Sequence, residues 1–163
     1  MEARIKNPGM LIPDAMQSLQ TLAQVAGKSG VDPKVLGLVH LRASQINGCS
    51  VCVDLSYRMK HGETDERLLM VSAWRDTAIF TDAERAALAL AEAVTRLSDR
   101  EDPVPDAVWN DAARHYSEKE LAAILLHIAV TNVWNRFNVA TRQVAGEWAK
   151  SAGAKEWMEK KTA

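Results

Sequence analysis

Two thiols three residues apart are the groups in this chain best suited to covalent chemistry. Cys49 and Cys52 are its only cysteines. They stand in LRASQINGCSVCVD, Leu41 to Asp54, directly after the polar turn Asn47-Gly48. Residues at this spacing share one face of a helix, so the pair can close a disulfide locally without moving the fold. A helix N-terminus carries unpaired N–H groups and a partial positive charge. A thiol in the first turn is thereby pushed towards thiolate, the form that attacks peroxides and disulfides. Asn47 suits the N-cap position, where its side chain accepts an N–H two or three residues on. The dipole alone favours Cys49 as the more acidic thiol, because its effect fades within one turn.

Half of a zinc site is a competing use for such a pair, but it needs further Cys or His at ligand spacing. The four histidines are His40, His61, His115 and His127, and none is paired with another at that spacing, so no metal is expected. Two cysteines buried as small hydrophobes are the other alternative. The polar turn and the position at a helix start favour redox chemistry. A thioredoxin domain is excluded, since Cys-x-x-Cys reads that way only near a βαβ pattern, and the sequence shows none.

The elements that must hold this turn follow from pattern and punctuation. At 163 residues the chain fits one domain with a single sizeable core. Leu11, Met16, Leu19, Leu22, Ala23 and Ala26 recur at helical spacing, which predicts a helix over Pro13 to Ala26, stopped by Gly27 and Gly30. Asp32-Pro33 is a start signal for a helix of about Pro33 to Ile46. The thiol helix runs from about Cys49 to Lys60 and stops at His61-Gly62. Thr64 opens a short helix. Thr81 to Glu84 and Ser117 to Glu120 match capping boxes; the second launches the longest apolar stretch. Ser98 to Val104 is a loop, and Pro105 opens a short helix after it. No segment alternates in the strand manner for long, and no internal repeat stands out. The expected fold is all-α, one domain over 1–163, with a core of about 33–146, an N-terminal helical arm over 1–30 and a C-terminal tail over 147–163.

The formal net charge of −1 does not favour nucleic acid or an anionic membrane as partner. MEARIKNPGM lacks a basic region followed by an apolar one, so secretion is not supported. The apolar run Leu121 to Val130 is too short to span a bilayer. A cytoplasmic protein is expected, and there a cysteine pair is more often catalytic than structural.

Asn132, Asn135 and Asn138 recur in steps of three along the longest helix. They form either a solvated face or a polar seam between subunits. The chain has five tryptophans, Trp74, Trp109, Trp134, Trp148 and Trp157. A small helical domain seldom buries so many in its own core, and tryptophan is enriched at interfaces, so a homo-oligomer is expected.

LRASQINGCSVC, AWRDTAIFTDAERAALALAEAVT and NVWNRFNVATR, in this order over roughly Pro33 to Arg142, resemble the AhpD-like branch of the carboxymuconolactone decarboxylase family. The resemblance implies an all-helical fold assembling as trimers or hexamers. It also implies a thiol-dependent peroxidase or disulfide reductase without a bound cofactor, taking a hydroperoxide as substrate and a dithiol or thiol protein as electron donor. By the same resemblance Cys52 is the peroxidatic thiol, passing through a sulfenic acid, and Cys49 the resolving one. That assignment opposes the dipole preference, and access and a nearby base can outweigh a dipole. Disulfide closure and its reversal by an external dithiol are ordinary thiol chemistry.

The family's fuller motif places a relay glutamate twelve residues before the first cysteine and a histidine four after the second. Here those positions hold Gly37 and Ser56, and Val51 lies between the cysteines. The candidates for a substitute proton relay are His40, on the same helix face as Gly37, Ser56 on the thiol face, and His127 in the apolar run. His61, nine residues past Cys52, is expected on the opposite face as a helix C-terminal histidine. Three functions are therefore weighed. The first is a peroxidase or dithiol-exchange enzyme, impaired by loss of the usual relay. The second is a non-enzymatic redox sensor or interaction protein. The third is a lactone decarboxylase, which leaves the thiol pair without a use.

Overall fold

A computed structural model describes residues 2–150 and Ala154. The described residues are all-helical, and no strand occurs among them. In chain order the α-helices are α1 (Pro8–Leu11), α2 (Ala15–Gly27), α3 (Pro33–Ile46), α4 (Ser50–Met59), α5 (Asp65–Met70), α6 (Asp82–Thr95), α7 (Asp106–His115) and α8 (Glu118–Ala140). A 3₁₀ segment, Val71–Asp76, joins α5 to the approach of α6. Trp157 and most of the expected C-terminal tail lie outside the described residues.

Local chemistry accounts for most of these starts. The Asp32 carboxylate accepts the Lys34 N–H at 2.9 Å, with Pro33 at the first helical position. Thr81 with Glu84 and Ser117 with Glu120 form the two expected capping boxes. The first long helix begins at Ala15 rather than Pro13, because Asp14 takes a left-handed conformation (φ 61°) that turns the chain between α1 and α2.

α3 is the central strut. It packs against α6, α8 and α4, and Leu38, Val39, Leu41 and Ala43 are buried along it. The small residues Ala86, Ala87 and Ala91 of α6 let that helix approach closely, so Val35, Leu36 and Val39 share one apolar cluster with Leu90, Ile124 and Ile128. A second cluster joins Leu38, Leu41 and Leu88 to Leu68, Val71, Trp74 and Phe80. Each fully buried Leu or Ile contributes roughly 1.5–3 kcal/mol by leaving water. This rigid frame fixes the end of α3, where the cysteines begin. No helix among the described residues is long and apolar enough to cross a membrane.

The four tryptophans among the described residues divide. Trp74 is core, Trp109 is exposed, and Trp134 and Trp148 are half-buried.

Candidate functional site

α3 ends at Ile46 as expected, but the turn after it belongs to this helix rather than to the next. Gly48 adopts φ 66°, the left-handed region, and the Cys49 N–H reaches back to the Ser44 carbonyl at 3.0 Å. This is a Schellman arrangement, which needs glycine or a tolerant residue at its left-handed position. It makes Asn47 the C-cap of α3, correcting its expected role as N-cap of the thiol helix. Cys49 itself caps α4: its Sγ accepts the Cys52 N–H at 3.2 Å.

Cys49 and Cys52 are joined as a disulfide, with Cα atoms 5.3 Å apart. Both are buried, at 1% and 3% exposure. A half-open cleft of about 360 Å³ lies over the turn, lined by Gly48, Cys49, Ser50, Asn138, Val139, Arg142 and Gln143. Cys49 is the cysteine of the pair that lines this cleft.

The asparagine stripe of α8 grips this turn from behind. Asn47 Nδ2 donates to Asn132 Oδ1 at 2.9 Å and to Asn135 Oδ1 at 2.8 Å. Asn135 Nδ2 donates to Ser44 Oγ at 3.1 Å. Asn138 Nδ2 lies 3.4 Å from Cys52 Sγ and 3.7 Å from Cys49 Sγ. All three are buried, as amides can be only when hydrogen-bonded. The stripe is thus neither a solvated face nor a subunit seam; its amides are engaged within one protomer. The step of three was the visible signal, and only the fold shows that its partner is the cysteine turn.

On the other side of Cys52 the proposed relay residues do come together. His40 Nδ1 lies 2.9 Å from Ser56 Oγ, and that hydroxyl donates to the Cys52 carbonyl at 3.1 Å. With the serine hydrogen so used, His40 presents Nδ1–H to Oγ, leaving Nε2 as the nitrogen able to take a proton. The His127 ring centroid is 6.3 Å from that of His40. Among the described residues neither ring nitrogen of His127 meets a partner at hydrogen-bond geometry.

His61 is a second correction. Lys60 and His61 both take left-handed backbone (φ 46° and 50°), which turns the chain back after α4. The His61 ring then comes to rest over Gly37: a Cβ placed on Gly37 would stand 3.2 Å from it. The position left empty by the missing glutamate side chain is filled by an imidazole. Helical pitch could not reveal this, because His61 has already left the helix.

Burial first, then the neighbouring charges of His127 and His61, lower the His40 pKa to about 3. Burial and His61 lower His127 to about 4, against an upward pull from the Leu36 backbone. Both are neutral at pH 7, whereas an unfolded histidine titrates near 6.5. Between those values the unfolded chain binds more protons, so stability is full above about pH 6.5 and falls as pH drops towards 4. Urea midpoints should be lower at pH 5 than at pH 7, and His127→Leu should narrow that gap. An equal gap in the variant would contradict the buried neutral ring.

Among the described residues no group of three or more His, Cys, Asp or Glu is placed to hold a metal ion. The arrangement is a disulfide-linked cysteine pair with a sulfur-facing amide on one side and a histidine–serine pair on the other.

Comparison with known proteins follows the same lines. The carboxymuconolactone decarboxylase family model matches residues 13–93, a span holding both cysteines, His40, Ser56 and His61. The uncharacterised Bacillus subtilis protein YdfG is 30% identical over 132 residues, covering 80% of this chain and 88% of that one. The uncharacterised Escherichia coli protein YnjA is 36% identical over 116 residues, covering 69% and 62%. Among solved structures, a protein of unknown function from Agrobacterium tumefaciens, proposed to be the antioxidant defence protein AhpD, superposes with a TM-score of 0.80. It is 32% identical, and the match covers 88% of this chain and 98% of that one. The debrominase Bmp8 shares the fold, with a TM-score of 0.71 at 19% identity over 91% of this chain and 77% of its own.

Proposed function

Because the chain belongs to the carboxymuconolactone decarboxylase family and has an AhpD-like fold, we propose that it is a thiol-dependent hydroperoxide reductase and disulfide oxidoreductase working through Cys49 and Cys52. One observation carries this reading: the two sulfurs are bonded to each other at a helix start, with Cys49 among the residues that line a cleft there.

In the reduced protein the Cys52 thiolate attacks the outer oxygen of a hydroperoxide. The O–O bond breaks, an S–O bond forms, and the alkoxide leaves as alcohol after taking a proton. The Cys49 thiol then attacks the sulfenic sulfur, forming the S–S bond and releasing water. An external dithiol supplies the two electrons and two protons that reopen it. The net change converts hydroperoxide and dithiol into alcohol, water and the donor's disulfide. The position of Cys49 on the cleft side supports donor attack there, which frees Cys52 as the leaving thiolate.

His40 with Ser56 is the proposed proton relay, and His127 stands behind it. At a pKa of about 3 His40 is a weak base at neutral pH. General acid–base catalysis contributes typically 10²–10⁴-fold, so turnover is expected to be slow. A cytoplasmic location fits a cycle that needs a reducing donor. Assembly as trimers or hexamers is part of the same proposal, supported by the exposed apolar side chains Ile5, Met10, Leu11 and Ile12; light scattering showing only monomer would remove it.

Burial of both sulfurs and the absence of the usual relay side chains favour one second reading, a redox sensor that oxidises once. Steady-state hydroperoxide consumption with a small dithiol donor separates the two. Many equivalents consumed per protein, matched one to one by donor disulfide, is the result expected. A single equivalent with no turnover would leave the sensor.

A further inference from the structure

The orientation of an asparagine amide is set by its neighbours, and at Asn138 a chain of such neighbours can be followed to the backbone. The Gly9 N–H donates to Asn7 Oδ1 at 2.9 Å, capping α1. A backbone N–H cannot reverse its role, so Asn7 must direct its Nδ2 the other way. That Nδ2 donates to Asn138 Oδ1 at 2.8 Å, across 131 positions of sequence. With its oxygen so engaged, Asn138 must turn its own NH₂ to the two sulfurs. Asn7 is held in place from outside this chain of bonds. The Arg4 N–H donates to the Thr141 carbonyl at 2.8 Å, Gln143 Nε2 to the Ile5 carbonyl at 2.8 Å, and Gly9 packs close to Trp134. The N-terminal segment is thus docked on the last turns of α8, beside the cysteines.

A disulfide sulfur is a weak acceptor, whereas a thiolate is a charged one, and hydrogen bonds to charged groups are the stronger kind. We propose that Asn138 is the hydrogen-bond donor to the Cys52 thiolate in the reduced protein, and that Asn7 is the positioning residue that dictates which end of the Asn138 amide faces the sulfurs. When the Cys52 thiol releases its proton to water, the donor is already aimed at the charge that appears. Cys49 Sγ is served separately by the Cys52 N–H. The N-terminal segment thereby tunes the acidity of a thiol it does not touch. Other charged or titratable groups near the pair are Arg142 on the cleft and His40 beyond Ser56. The inference builds on the reading that these thiols cycle through a reduced state.

The test is an ultraviolet thiolate titration of the reduced protein in a Cys49→Ser background, where Cys52 is the absorbing thiol. Asn138→Leu is expected to raise the Cys52 pKa by roughly one unit, and Asn7→Ala by less. Asn7→Asp is the decisive variant. It keeps the cap on Gly9 but presents an acceptor to Asn138, which must then reverse and point its oxygen at sulfur. Its pKa should lie above that of Asn7→Ala, and should stay so in about 1 M salt, where the Debye length of about 3 Å screens the added charge. A merely structural role ranks the two oppositely, since aspartate retains the cap and alanine does not. Asn7→Asp titrating with the wild type, or below Asn7→Ala, would overturn the proposal. Should Asn138→Leu not fold, the Asn7 pair decides alone. The readout is independent of peroxide: a protein without turnover that still ranks these variants as stated loses the proposed function and keeps this inference.

Discussion

Cys52→Ser is expected to reduce hydroperoxide consumption to the uncatalysed background, whereas Cys49→Ser consumes one equivalent and stops. The two thiols are adjacent, equally buried and bonded to each other, so a structural account predicts the same consequence for either loss. The roles proposed here predict different ones. Without Cys52 the thiol assigned to form the S–O bond is gone. Without Cys49 that bond still forms, but nothing inside the protein resolves it, and a sulfenic acid accumulates at Cys52 where a sulfenate trap can label it. Neither variant should be much less stable than the wild type, because a disulfide closing so short a loop constrains the unfolded chain little. Equal peroxide consumption by both variants would remove the assignment.

Glu92→Ala carries the largest expected loss of stability, about 3–5 kcal/mol, the range for breaking one side of a buried ion pair. Glu92 is 3% exposed near the C-terminal end of α6. It accepts from Arg42 Nε at 2.6 Å and from the Trp74 indole at 2.9 Å, and it pairs with Arg75 at 2.5 Å. Burial raises its carboxyl pKa, but the hydrogen bonds from Arg75, Trp74 and Arg42, with the charge of Arg42, outweigh this and hold it at about 2. Removing it leaves the Trp74 N–H without its acceptor and the partly buried Arg42 guanidinium with only its longer bonds to Gln45 Oε1 and the Ser72 carbonyl. Arg75 is half-exposed and returns to water at little cost, so Arg75→Ala should lose under about 1 kcal/mol. The folded pKa lies below the unfolded value of 4.5. The contribution is therefore present above pH 4.5 and disappears as pH falls towards 2. Urea unfolding of both variants at pH 7 checks the contrast, and equal losses would contradict it.

The helix starts were legible because their causes are local. Asp32-Pro33, Thr81 with Glu84 and Ser117 with Glu120 each hold their partner within three residues. The cysteine pair was legible for the same reason, as its partner lies one turn away. What sequence spacing could not disclose is what tertiary structure brings to the pair. Asn47 meets Asn132 and Asn135 across more than half the chain, and Asn7 meets Asn138 across more still. His61 was assigned to the far side of α4 by helical pitch, yet two left-handed residues carry its ring over Gly37. Glu92 had a signal that went unread: a lone carboxylate among alanines and leucines on a core helix must find a cation if it is buried. The cap at Cys49 was misplaced by two residues because a Schellman turn and an N-cap look alike as Asn-Gly before a helix.

The central claim is that Cys49 and Cys52 form one redox unit able to accept oxygen from a hydroperoxide. The most direct measurement is the intact mass of the reduced protein after a single equivalent of an alkyl hydroperoxide, with the alcohol quantified alongside. The account predicts a protein lighter by two hydrogens, its Cys49–Cys52 bond restored, and one alcohol formed for each bond closed. Thiols that remain free while the hydroperoxide persists, or alcohol formed without closure of that bond, would contradict it.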